Sequence, residues 1–381
     1  MRRLVGTLTV LTLFLSTFLI GTASPAQAAT IDKDSGSPKH IFYIMMENHS
    51  TNEIFGNTAD APYINWLASK YGIAENYYGV THPSSPNYLA AISGSFQGIW
   101  DDCPAGPTVT CAPEEFGPDS GYTNGQELLT PQEIASATST PHWFSSKNIV
   151  DQLEAHDLSW KAYMQSMPST GFTGSASPII NGQPVQLYVQ KHNPFEYFTD
   201  IRNNAARMQK IVPFTQLGLD LAKNTVPNFV WISPDTCNDM HGISPTSAQE
   251  IGNPACAYPS SGLDHSIIQL GDNFVQSTVS TIMASRVWKQ SRSSIVIAWD
   301  ENDYSGYTGC CHSPTGVNGV TLGGANAPFM VINSNDVDHI VDTTPYNHYT
   351  LLATIEKLWH LGCLNQSCGF SDKQLMTKFF V

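Results

Sequence analysis

Basic residues are scarce in this chain: lysine and arginine together number 18 against 32 aspartates and glutamates in 381 residues. Without Arg2 and Arg3 the balance is 16 basic to 32 acidic, a formal charge of −16. Such a surface repels nucleic acid and anionic membranes, and no basic run reverses it, so no nucleic-acid partner is expected. Long apolar runs are also missing. The stretch from Leu8 to Ile20 is too short for a comfortable membrane span, and nothing else approaches one, which excludes integral membrane association. CxxC pairs are absent, which argues against a structural zinc site. The GxSxG motif is absent too, which removes the serine esterases that depend on it. No internal repeat occurs.

What is present first concerns export. Arg2 and Arg3, an apolar run, and then Ala26-Gln27-Ala28 follow the order of a secretory signal peptide over residues 1–28. An uncleaved anchor would carry a basic stop-transfer flank, and none follows. Residues 29–39 read as a loose polar segment. All 8 cysteines lie beyond the signal, and an even count in an oxidising compartment favours disulfides. Short separations suggest Cys103–Cys111, Cys237–Cys256 and Cys363–Cys368. Cys310 and Cys311 are then left for a vicinal bond or a rearranged scheme. The expected product is a secreted, soluble monomer.

Apolar strands alternate with helix-like segments, which argues for an α/β fold with helices on both faces of a mostly parallel sheet. His40 to Met46 is a near-continuous apolar run, as expected of a buried parallel strand. Further strands are read at Ser159 to Met164, Asn228 to Ile232 and Ser294 to Trp299. Helices are read at Tyr63 to Tyr71, Pro86 to Ser93, Asn148 to His156, Asp264 to Trp288 and His348 to Leu361. Residues 40–381 form one domain on this reading. Stretches rich in Gly, Pro, Ser and Thr near 98–142 and 167–193 read as insertions over one end of the sheet, where such folds place their sites.

Polar residues follow the strands. In Thr81-His82-Pro83-Ser84-Ser85-Pro86-Asn87-Tyr88, a proline two residues after Ser84 suits a first helical turn. Ser84 would then face free backbone donors and the positive end of the dipole, which favour a phosphoryl group. A plain N-cap serine is the simpler alternative. Glu47 and Asn48 emerge after the first strand, where oxygen ligands suit a hard cation; a turn-forming asparagine would look the same. Asn48-His49-Ser50 also matches a glycosylation sequon, discounted because the position belongs in the site. Asp300 and Glu301 end another strand, and their repulsion calls for a cation or a shared proton, unless they form a solvated turn. Asp239 and His241 lie two apart in a loop after a third strand, a spacing fit for metal ligation or proton transfer. His348 opens the last helix, as a site histidine or a packed one.

Taken in order, Glu47-Asn48-x-Ser50…Phe55-Gly56, Ser84-x-Pro86-Asn87, Asn238-Asp239-x-His241, Trp299-Asp300-Glu301-Asn302-Asp303 and His348-Tyr349-Thr350 resemble the phosphoesterase family of secreted acid phosphatases and bacterial phospholipases C. That family belongs to the alkaline-phosphatase-like superfamily, and the similarity runs from about His40 to Leu361. It implies a three-layer α/β/α fold and a hydrolase of small-molecule or lipid phosphate esters, leaning to monoesters, with a phospholipase-C-type diesterase as the alternative. A divalent metal, whether calcium, zinc, magnesium or manganese, is implied, held by Glu47, Asn48, Ser84, Asp300 and Glu301. Ser84 matches the nucleophile. His241 and Asp239 match a loop that assists phosphate binding or, with His241 protonated, the leaving group. Asn87, His82 and His348 are implied to contact the substrate phosphate. Two positions depart from the pattern: His49 stands where arginine is frequent, and Asn52 where the phospholipases often carry aspartate. A secreted binding protein that kept the fold but lost catalysis is the rival of another class; it would show a gap at one matched position.

Overall fold

The computed structural model describes residues 36–114, 128–259, 262–335 and 339–380. The expected signal peptide, most of the loose N-terminal segment and part of the first insertion lie outside them.

An eight-stranded sheet forms the centre of the fold. In chain order its strands are β1 (His40–Met46), β2 (Gly72–Ala74), β3 (Trp160–Met164), β4 (Ile211–Pro213), β5 (Phe229–Ser233), β6 (Ser293–Trp299), β7 (Phe329–Asn333) and β8 (Val341–Asp342). Their spatial order is β8-β2-β7-β6-β1-β5-β3-β4. From β6 through β1, β5 and β3 to β4 every pairing is parallel. β7 runs antiparallel to both its neighbours. All seven residues of β1 are buried, which is why its sequence is apolar throughout instead of alternating.

Alternate side chains along the strands feed two apolar layers. Ile41, Tyr43 and Met45 of β1 join Trp231, Val296 and Ala298 on one face. Phe42, Ile44 and Met46 join Ile232, Ile295 and Ile297 on the other. The first layer packs against helices α2 (Ser84–Ser93), α3 (Ile149–Ala155) and α6 (His348–Trp359), the second against α1 (Pro62–Ala68), α4 (Thr215–Lys223) and α5 (His265–Ala284). The expected three-layer α/β/α arrangement is the observed one.

Several boundaries moved for identifiable reasons. The long helix expected from Asp264 to Trp288 breaks at Ser285, whose backbone is extended and whose hydroxyl caps a second short helix by accepting the Trp288 N–H. The helix expected to reach Tyr71 stops at Ala68, and the glycine read as its terminator, Gly72, instead begins β2. A Cβ at Gly72 would lie 2.6 Å from the Phe379 ring, so the strand needs that residue for close packing. The second insertion is not irregular: it carries a hairpin, Ala176–Ile180 against Gln183–Val189. The three disulfides that the spacing suggested form, and Cys310 and Cys311, left open by it, pair with each other in a vicinal bond.

Ile297 is fully buried at the centre of the sheet. Ile297→Ala should lower the unfolding free energy by about 2–5 kcal/mol, read as a reduced denaturant midpoint at unchanged slope.

Candidate active site

Parallel strands end on one edge, so whatever follows them gathers there. In the β1–β6 register Met46 pairs with Trp299, which makes Glu47 and Asp300 neighbours as the chains leave the sheet. The Asp300 N–H donates to the Met46 carbonyl (3.0 Å), and the Glu47 N–H donates to the Asp239 carbonyl (2.8 Å) in the loop after β5. Three strand ends are thereby tied into one floor.

Ser84 is the first residue of α2, preceded by Pro83 in extended conformation. Its hydroxyl donates to Glu47 Oε2 (2.9 Å) and lies 3.4 Å from Glu301 Oε1. It is fully buried and caps nothing with its side chain, so the N-cap alternative fails. Asn48 adopts a left-handed backbone (φ 47°), and its N–H donates to Asp300 Oδ1 (3.2 Å). Its amide end sits 3.1 Å from Glu47 Oε2 and 3.2 Å from Glu301 Oε1. With the nitrogen turned that way it donates to both carboxylates. With the oxygen turned that way it adds a ligand to a ring of oxygens.

Two glycines make this closeness possible. A Cβ on Gly79 would lie 2.7 Å from the Asp300 carbonyl, and one on Gly324 would lie 2.6 Å from the Thr81 carbonyl and 2.9 Å from Glu301 Cβ. Only bare backbone lets the segment before Ser84 press against the Asp300–Glu301 turn.

The electrostatics are severe. Burial, then the Asp300 charge, pushes Glu47 well above the ordinary carboxylate range. Burial and Glu47 do the same to Asp239, and burial and Glu301 to Asp300. Burial raises Glu301 as well, partly offset by His82. Asp300 Oδ2 is buried without a hydrogen bond, and Glu47 Oε1 and Asp239 Oδ2 face only the ring nitrogens of His192. Under-satisfied acceptors on three of four repelling acids are what a cation would relieve, and Glu47, Asn48, Ser84, Asp300 and Glu301 would supply oxygens to one.

The histidines divide differently from expectation. His82 Nδ1 lies 2.7 Å from Glu301 Oε2, and its Nε2–H donates to the Gly306 carbonyl (2.9 Å). Burial disfavours the charged ring, but Glu301 overrides it and raises the pKa. His348 is completely enclosed: its Nε2–H donates to the Asp300 carbonyl (2.7 Å) and Nδ1 accepts from the Tyr77 hydroxyl (2.8 Å). Burial pushes it down to about 4, so it is a neutral clamp on Asp300, placed behind the site instead of against a phosphate. Asn87 is likewise committed. Its oxygen accepts from the Val80 and Thr81 N–H groups, and its nitrogen donates to the Thr81 and Pro83 carbonyls and to Glu301 Oε2. It shapes the loop before Ser84. At His241, expected to act as an imidazolium, burial and then Lys191 push the pKa down to about 4. Its Nδ1–H donates to the Gly242 carbonyl (2.8 Å), and Asp239 Oδ1 accepts its backbone N–H (2.7 Å).

Three neighbours were not legible in the sequence. His192 is wedged between Glu47 Oε1 (3.0 Å) and Asp239 Oδ2 (3.1 Å) and stacks on Tyr88. Lys191 bonds Asp102 Oδ2 (2.6 Å), and Asp102 Oδ1 accepts the Ser85 N–H (2.9 Å). All come from the two stretches rich in Gly, Pro, Ser and Thr. Glu47, His192 and His241 also stand close enough to hold a metal ion, a second donor group that shares only Glu47 with the oxygen set.

The Phosphoesterase family profile matches residues 57–362. A probable acid phosphatase from Kluyveromyces lactis is 25% identical over 91% of this chain and 65% of its own length. A phosphatidylinositol-3-phosphatase from Mycobacterium tuberculosis is 24% identical over 70% of this chain and 64% of its own. The chain thus spans less than two thirds of these relatives. In fold it resembles a Bacteroides thetaiotaomicron chain solved in work on glycosaminoglycan metabolism, at a TM-score of 0.50 and 11% identity over 91% of this chain and 82% of that one.

His348 binds protons less readily folded, with a pKa of about 4, than unfolded, near the ordinary 6.5. Its contribution is complete above the unfolded value and lost as pH falls toward 4. His348→Gln should therefore flatten the loss of stability between pH 6.5 and 4, removing a slope of about 1.4 kcal/mol per pH unit, read by denaturant titration.

Proposed function

The chain belongs to the Phosphoesterase family, and on that premise we propose that it is a secreted, metal-dependent hydrolase of phosphoric monoesters that works through a phosphoseryl intermediate. The observation that carries the reading is the Ser84 hydroxyl, fixed at a helix start between Glu47 and Glu301. All the matched acids are present and gathered at one edge, which opposes a catalytically silent binding protein.

Glu47, Asn48, Ser84, Asp300 and Glu301 would hold the divalent cation. An all-oxygen set favours magnesium, manganese or calcium over zinc. When bound, the cation lowers the pKa of the Ser84 hydroxyl and neutralises phosphoryl charge. Ser84 Oγ passes its proton toward Glu47 Oε2 and attacks phosphorus in line as the bond to the leaving oxygen breaks. His82, paired with Glu301, keeps that carboxylate ionised and in place. A phosphoryl group beside His241 brings the negative charge that raises its pKa, so it can protonate the leaving oxygen only with substrate bound. Asp239 fixes that loop. Water then releases phosphate from Ser84.

Monoesters are favoured because the relatives named above are phosphatases. The lipid phosphatase among them supports a phosphate carried on a lipid headgroup as a second substrate form. The four disulfides fit an oxidising compartment, and among the described residues no helix is long and apolar enough to cross a membrane.

A substrate panel tests this. The purified protein should hydrolyse para-nitrophenyl phosphate faster than its bis-ester or phosphatidylcholine, and a chelator should abolish turnover. Ser84→Ala should lower kcat by at least about a thousandfold. Near-normal turnover by Ser84→Ala, with Glu47→Ala inactive, would instead mean direct attack by water. Hydrolysis of no ester in any divalent metal would sink the enzyme reading.

A further inference from the structure

We propose that Lys191 grips the dianionic phosphoryl group directly and thereby selects monoesters over diesters, an inference that rests on the phosphoesterase reading and names its specificity residue. Lys191 lies in the short helix Gln190–His192 that follows the hairpin strand Gln183–Val189. Its backbone is pinned there, because His192 is inserted between Glu47 and Asp239. The ammonium is pinned as well. It donates to Asp102 Oδ2 (2.6 Å) and lies 3.3 Å from His241 Nε2, a nitrogen left as an acceptor because Nδ1 is spent on the Gly242 carbonyl.

The far side of Asp102 holds the Ser85 N–H, one residue from the nucleophile. The charge is therefore strung between the start of α2 and the Asp239–His241 loop, the two walls that flank Ser84. An ammonium carries three donors, and Asp102 and His241 engage two. The side chain keeps 17% of its surface exposed, and among the described residues the ammonium's named partners are these two, which leaves a donor for a ligand.

Charge counting shows what that donor does. Glu47, Asp239, Asp300 and Glu301 surround the site, and one divalent cation offsets only part of them. A phosphomonoester brings up to two further negative charges, a diester only one. In this low-dielectric setting a fixed ammonium favours the dianion, while the second substituent of a diester removes the oxygen it would bind. The same charge, 3.3 Å from His241 Nε2, opposes a second metal at Glu47, His192 and His241. A lysine takes the place of a second cation.

The test uses the whole chain loaded with manganese, with calorimetry of inorganic phosphate binding to wild type, Lys191→Met and Lys191→Arg. Lys191→Met should weaken phosphate binding by about 10- to 100-fold, and Lys191→Arg, which keeps the charge, should recover most of it. Para-nitrophenyl phosphate hydrolysis should fall by a similar factor in Lys191→Met, while the bis-ester is turned over at or above its wild-type rate. Unchanged phosphate affinity in Lys191→Met would overturn the proposal, as would a wild type that binds no phosphate. So would equal losses in both variants alongside lowered thermal midpoints, the signature of a structural prop. Hydrolysis of phosphate esters by the wild type judges the phosphoesterase reading separately: a wild type active on monoesters with a fully active Lys191→Met leaves that reading standing and removes only this one.

Discussion

Mutual repulsion among buried carboxylates governs this molecule. Glu47, Asp239, Asp300 and Glu301 are all fully buried, and Asp300 Oδ2 lacks a hydrogen-bond partner while Glu47 Oε1 and Asp239 Oδ2 face only His192. Holding four such groups together costs stability, and the fold tolerates it only by surrounding them with counter-charge and donors. His82 pairs with Glu301, and the Asn48 N–H donates a hydrogen bond to Asp300. His192 is wedged between two of the acids, and Lys191 lends its field from the rim. The remaining deficit is what the proposed cation would offset.

The sheet makes that concentration of charge possible. Parallel neighbours deliver three strand ends to one edge, and backbone bonds between them fix their relative height. Behind this floor His348 and Tyr77 form a neutral, desolvated brace that leaves the Asp300 carbonyl no freedom. The supports are buried and fully hydrogen-bonded, which is how a fold holds such a set of groups in place.

The sequence disclosed what depends on local pattern. Apolar runs ending in acids located β1 and β6 and their carboxylates, and Pro86 located the start of α2. It did not disclose β7, although Phe329–Asn333 is an apolar run, because short apolar segments do not announce their pairing direction. Nor did it separate the histidines. His348 and His241 look alike in one dimension, and their different duties come from what packs on each ring. Asn87 reads as a polar side chain near the nucleophile, and only the folded loop shows its amide to be fully spent. Lys191 and His192 sit in a stretch that reads as irregular, so nothing local marked them. The hairpin that carries them into the site is a tertiary fact.

The distribution of these parts along the chain has a further consequence. The floor begins at Glu47, within a few residues of the first strand, and its brace ends at His348, in the last long helix. Between them the Ser84 hydroxyl reaches acids 37 and 217 residues away. A cut anywhere between Glu47 and His348 separates members of the set in sequence. Activity would therefore switch on with completion of the fold as a whole, so a single turnover assay would report the integrity of the entire domain.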